Sequence, residues 1–131
     1  MKRKIVHIAL LVYNYDEAIK FYKEKLDFVL IEDTILSPEK RWVIIKPDND
    51  SECSILLAKA SNEEQKQSVG KQTGGRVFLF LETDDFQKDY DRMEEKGINF
   101  IRNPTHEPYG TVAVFEDLYG NLWDLIEYKI K

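Results

Sequence analysis

The chain is poor in the residues that build metal sites and covalent staples. Cys53 is the only cysteine, and His7 and His106 are the only histidines. One thiol excludes an intrachain disulfide, a zinc finger and CxxC redox chemistry. Two imidazoles exclude a three-histidine metal site within one chain. No apolar run reaches the roughly 18 residues that mark a membrane span. Basic residues are also in deficit. Lys plus Arg is 19 against 24 Asp plus Glu, a net charge of −5. That balance argues against nonspecific binding to nucleic acid or to an anionic lipid surface. The basic start, Met1-Lys2-Arg3-Lys4, precedes a strand-like segment without a small-residue cleavage site, so the expectation is no signal peptide and a cytoplasmic protein.

What remains is a globular composition, 43% hydrophobic and 12% aromatic over 131 residues. This is the size of one domain with its own core. Ile5 to Val12 is nearly all apolar and reads as a strand. Asn14 and Glu17 have capping-box spacing, and Ala18, Ile19, Tyr22 and Leu26 follow at helical intervals. Strands are expected at about 28–36, 40–47 and 53–60. Ser61 to Glu64 reads as a second capping box opening a short polar linker helix that stops at Gly70.

The pattern then returns. Val77 to Leu81 is an apolar strand, and Thr83 is the expected cap of a helix carrying Phe86, Tyr90 and Met93, with Gly97 as its stop. Strands are expected at about 98–103, 111–116 and 121–128. A loop is expected from His106 to Gly110. The residue-to-residue shift between halves stays near 70: position 7 corresponds to 76, Phe21 to Tyr90, and Leu57 to Glu127. A constant shift over several elements marks a duplicated unit. The fold class is therefore α+β, with two βαβββ modules. Paired modules leave a concave space, where a pocket is expected.

Several segments resemble the vicinal oxygen chelate superfamily, which includes glyoxalases, fosfomycin-modifying enzymes, extradiol dioxygenases and bleomycin-resistance proteins. They are His7 to Val12, Ala18 to Tyr22, Leu26, Gly75 to Leu81 and, most specifically, Asp117 to Glu127. The resemblance implies one domain over 1–131, with modules at 1–60 and 75–131, a linker at 61–74, and open mixed sheets curving around a pocket. It also implies metal ligands on the first and last strand of each module. Those positions map to His7, Leu57, Arg76 and Glu127. Only His7 and Glu127 carry metal-capable atoms, since Arg76 keeps its proton and is no ligand.

Each candidate has a plainer reading. His7 fits a pocket or a satisfied core histidine. Glu127 fits a pocket or a solvated strand end. Arg76 fits a buried contact with Glu127 or a surface cation beside Gly75. Phe78, Trp123, Leu57 and Tyr109 are expected to line the ligand space. Most strand aromatics, including Trp42, Phe80 and Phe115, belong to the core in the plainer reading. His106 is expected to be solvated.

Three functions stay open. The first is a small-molecule binding protein of the bleomycin-resistance kind with a degenerate metal site and no cofactor. The second is a divalent-metal-dependent lyase or dioxygenase using His7 and Glu127. The third is metal-free acid–base catalysis by His7, Glu127 and Arg76. The expected partners are a small molecule and a second copy of the chain, a homodimer, with no nucleic acid and no membrane.

Overall fold

In the computed structural model, which describes residues 1–129, the chain divides into two compact units, Met1–Gly70 and Lys71–Lys131. Each carries a four-stranded mixed sheet. The first unit runs β1 (His7–Val12), α1 (Tyr15–Leu26), β2 (Val29–Ser37), β3 (Lys40–Lys46), β4 (Ser54–Lys59) and α2 (Glu63–Ser68). The second runs β5 (Val77–Glu82), α3 (Phe86–Glu95), β6 (Phe100–Glu107), β7 (Gly110–Glu116) and β8 (Leu122–Tyr128). Strand orders are β1-β4-β3-β2 and β5-β8-β7-β6, so the βαβββ repeat read from the sequence is present. In both sheets the outer pair, β1 with β4 and β5 with β8, is parallel, and the remaining pairs are antiparallel. α2 falls within the first unit.

Local chemistry sets the helix ends. Asn14 caps α1 by accepting from the Glu17 amide at 2.9 Å, and Asp27 closes it in the left-handed region at φ 58°. Two expected caps move by one or two residues. Asn62, not Ser61, caps α2 and accepts from Gln65, while Ser61 bonds the Gln65 side chain. Asp85, not Thr83, caps α3, and the Thr83 hydroxyl accepts from the Asp85 amide instead. In both cases a short Asx side chain nearer the helix reaches the free amide first.

The expected 106–110 loop is also shorter than anticipated. β6 runs on through His106 to Glu107, leaving only Pro108 and Tyr109 in the turn. Pro104 sits inside β6 because β6 is the edge strand, where a missing N–H costs no ladder bond.

In each unit the longer helix, α1 or α3, packs against one face of the sheet. In the first unit Leu10, Leu57 and Val43 form a cross-strand row that is 1% exposed or less, against which α1 sets Ala18, Ile19 and Tyr22. In the second unit Phe100, Phe115 and Trp123 are in register, and Tyr90 of α3 meets Phe100 with ring centroids 4.4 Å apart. The Phe115 and Trp123 rings stack at 5.9 Å. Side chains alternate along a strand, so the intervening residues lie on the opposite face, free of α1 and α3 and called helix-free below.

Candidate functional site

On the helix-free face of the first unit, His7 opens β1 directly opposite Ser54 of β4. The His7 Nδ1 lies 2.6 Å from the Ser54 hydroxyl, and that hydroxyl lies 3.2 Å from the Val6 carbonyl. The Trp42 ring meets the imidazole edge-to-face, with centroids 5.8 Å apart. Ser54 is buried, whereas His7 is exposed and Trp42 half-buried. His7 is thus not a core histidine. Its ring is held from two sides and still reaches the surface.

In the second unit a turn held by the buried Asp117 and Asn121 prepares β8. Asp117 accepts from the Tyr119 and Asn121 amides at 3.0 and 2.9 Å and from the Asn121 side chain at 2.9 Å. This turn launches β8 so that Trp123 and Leu125 enter the core while Asp124 goes to the helix-free face. There Asp124 lies in register with Phe80 of β5 and Val114 of β7, and Val114 with Arg102 of β6. Phe80 is 65% exposed. Burial pushes the Asp124 carboxyl above the ordinary aspartate range, and the Arg102 charge pulls it part of the way back.

The positions mapped by the repeat fall differently. Glu127 is on the α3 side of β8, where its carboxylate accepts from the Phe86 amide at 2.7 Å. Arg76 lies exposed, one residue before β5. β5 and β8 are parallel, with Val77 opposite Leu122, so Arg76 adjoins the start of β8. Glu127 lies near its end, about 16 Å further on at the usual strand rise. The anticipated Arg76–Glu127 contact is therefore not made.

Leu57 and Trp123, expected as ligand-lining residues, are 1% and 2% exposed on the helix-packed faces. The Tyr109 side chain is exposed in the β6–β7 turn, where its carbonyl accepts from Lys129. Phe78 is half-buried at an irregularity between β5 and β8. His106 is exposed, with Nδ1 at 3.1 Å from the Thr111 hydroxyl.

Asp124 is the residue the sequence reading missed. Its signal was available: a lone carboxylate between Trp123 and Leu125, out of phase with both.

A family model described as Glyoxalase/Bleomycin resistance protein/Dioxygenase superfamily matches residues 4–125. The chain belongs to this superfamily. An uncharacterized protein of Shewanella frigidimarina is 59% identical, covering 100% of this chain and 98% of its own length. Among solved structures, UcmS2 aligns with a TM-score of 0.85 and 29% identity, over 96% of this chain and 98% of that one. TnmS3, described as an antibiotic binding protein from Streptomyces sp. CB03234, aligns with a TM-score of 0.81 and 25% identity, over 98% of both chains. The tandem modules of this superfamily are the two βαβββ units seen here.

The donor set does not fit the metal centre that the superfamily resemblance implies. Among the described residues no three His, Cys, Asp or Glu side chains come together as a metal-holding group. His7 has a serine beside it, Asp124 has an arginine nearby, and Glu127 is engaged by a backbone amide. Tight sites ordinarily use three or more protein ligands.

Proposed function

We propose that this superfamily member binds a small organic molecule on the helix-free faces of its sheets, with no metal taking part, and sequesters it without turnover. The observation that carries this reading is the make-up of those faces. In the first unit that face sets Trp42 beside His7, and in the second it sets the exposed Phe80 in register with Asp124, near Arg102. Aromatic surface with a few placed polar groups suits a planar organic ligand better than a chelated ion. The likeness to an antibiotic binding protein supports the same class of ligand.

The test is elemental analysis of protein purified without chelator. No stoichiometric transition metal is the expected result. About one tightly held ion per chain, lost in His7→Ala, would overturn the reading.

The proposal includes a homodimer in the cytoplasm. Its support is apolar surface on the edge strands: Ile31, Ile35 and Leu36 of β2 and Ile101 of β6 are exposed. Edges of this kind invite a partner.

Metal-free acid–base chemistry is the second reading, favoured by the raised Asp124 carboxyl. In that reading Asp124, rather than Glu127, is the carboxylate that exchanges a proton with the ligand.

A further inference from the structure

Ser54 and His7 come from strands separated by most of the first unit, and the ladder sets them face to face. The Ser54 hydroxyl owns one proton and has two neighbours that could accept it, the Val6 carbonyl at 3.2 Å and His7 Nδ1 at 2.6 Å. Suppose the serine proton goes to Nδ1. One hydrogen bond is then made, and Nε2 carries the imidazole proton. Suppose instead that it goes to the Val6 carbonyl. The serine oxygen is then free to accept from Nδ1–H, so two hydrogen bonds are made and both donors are satisfied. A buried serine favours the arrangement that uses both of its roles, because unmet polar capacity is costly away from water. Ser54 is 2% exposed. The Ser54 amide also donates to the Val6 carbonyl, at 2.9 Å, which anchors the serine backbone against β1 whatever its hydroxyl does.

We infer that Ser54 is a positioning residue that holds neutral His7 as the Nδ1–H tautomer. The bare Nε2 then becomes a hydrogen-bond acceptor for a ligand hydroxyl, such as a phenol. This deepens the binding function proposed above and rests on it for the ligand. The tautomer itself can be read in the free protein. The choice is specific because a free histidine side chain favours the opposite tautomer. The edge-to-face contact with Trp42 places aromatic surface beside the acceptor. A ligand with an aromatic body and an acidic hydroxyl meets both features. A ligand offering only acceptors does not.

The test uses the full chain labelled with 15N-histidine. Its two histidines are assigned with His106→Gln. At a pH where His7 is neutral, a pyrrole-like Nδ1 and a pyridine-like Nε2 are expected. Ser54→Ala is expected to relax His7 toward the Nε2–H form, and Ser54→Thr, which keeps the hydroxyl, to restore the original signature. Far-ultraviolet circular dichroism checks that each variant is folded, and should Ser54→Ala fail to fold, the wild-type and Ser54→Thr spectra still read the tautomer. Phenol at millimolar concentration is expected to move the His7 Nε2 resonance, and anisole, the same ring without the donor, to leave it in place. An Nε2-protonated His7 in the wild type, a signature unchanged in folded Ser54→Ala, or an equal response to phenol and anisole would overturn the inference. A failure of the binding function alone would leave the ligand-free spectra as expected.

Discussion

The Glu127 carboxylate lies 2.7 Å from the Phe86 amide and so ties the end of β8 to the first turn of α3. The adjoining ladder bond, from the Thr83 amide to the Ile126 carbonyl at 2.9 Å, brings the two elements to this point. A carboxylate there satisfies one of the free amides of the helix start and favours its positive end. Asp85 satisfies another by accepting from the Lys88 amide. Glu127 is therefore a capping residue, and in the proposed function the carboxylate offered to a ligand is Asp124.

Glu127→Ala is expected to cost about 1 kcal/mol of stability, the usual worth of a helix cap. Ligand binding is expected to be unaffected. Arg76→Met and Glu127→Gln are expected to be additive within about 0.5 kcal/mol in a double-mutant cycle read by denaturant unfolding, since the two side chains do not meet. Coupling well beyond that limit would contradict the placement of Arg76.

Asp124 sets the sign of a pH dependence. Its pKa is raised in the folded chain, so folding favours the protonated form. The resulting stability is complete below the ordinary aspartate range and is lost as pH rises through the raised value. Asp124→Asn removes that loss. Unfolding measured at several pH values is expected to show the variant gaining on its parent from acid toward neutral pH. A constant difference across that window would count against a buried, ionising Asp124.

Gly110 begins β7 with φ at +156°, and a Cβ there would strike the Glu127 carbonyl oxygen of the neighbouring β8. Gly110→Ala is expected to destabilise the chain by about 3 kcal/mol or more, at the upper end of ordinary substitutions. Thermal unfolding checks this. A change under about 0.5 kcal/mol would show that the β7–β8 approach is looser than described.

The homodimer is checked by light scattering at micromolar concentration in moderate salt. Twice the chain mass is expected for the wild type, with a shift toward the monomer in Ile35→Glu. A monomeric wild type would refute it.

Much of the fold was legible because periodicity and caps are local. The spacing of Ala18, Ile19 and Tyr22 marks α1, and the shift near 70 marks the repeat. The site was less legible. Alternation along β8 separates Asp124 from Glu127, but it does not say which face a helix will cover. The family mapping chose Glu127, but α3 packs on β8 and the buried Trp123 and Leu125 on the same face reserve it for the core. The repeat likewise paired His7 with Arg76, but β1 begins at His7 whereas β5 begins at Val77, after Arg76. The hydrogen bond between His7 and Ser54 spans 47 positions, and no local pattern announces it.

The central claim is binding without metal. Trp42 stands on a helix-free face while Trp123 is buried, so fluorescence separates the two. The decisive measurement is a tryptophan-fluorescence titration with a panel of aromatic antibiotics, run in EDTA and again with added divalent ions. At least one compound is expected to quench the wild type with the same affinity in both conditions, and to lose most of that signal in Trp42→Phe. Quenching that appears only with divalent ions, or no binding by any compound in either condition, would contradict the account.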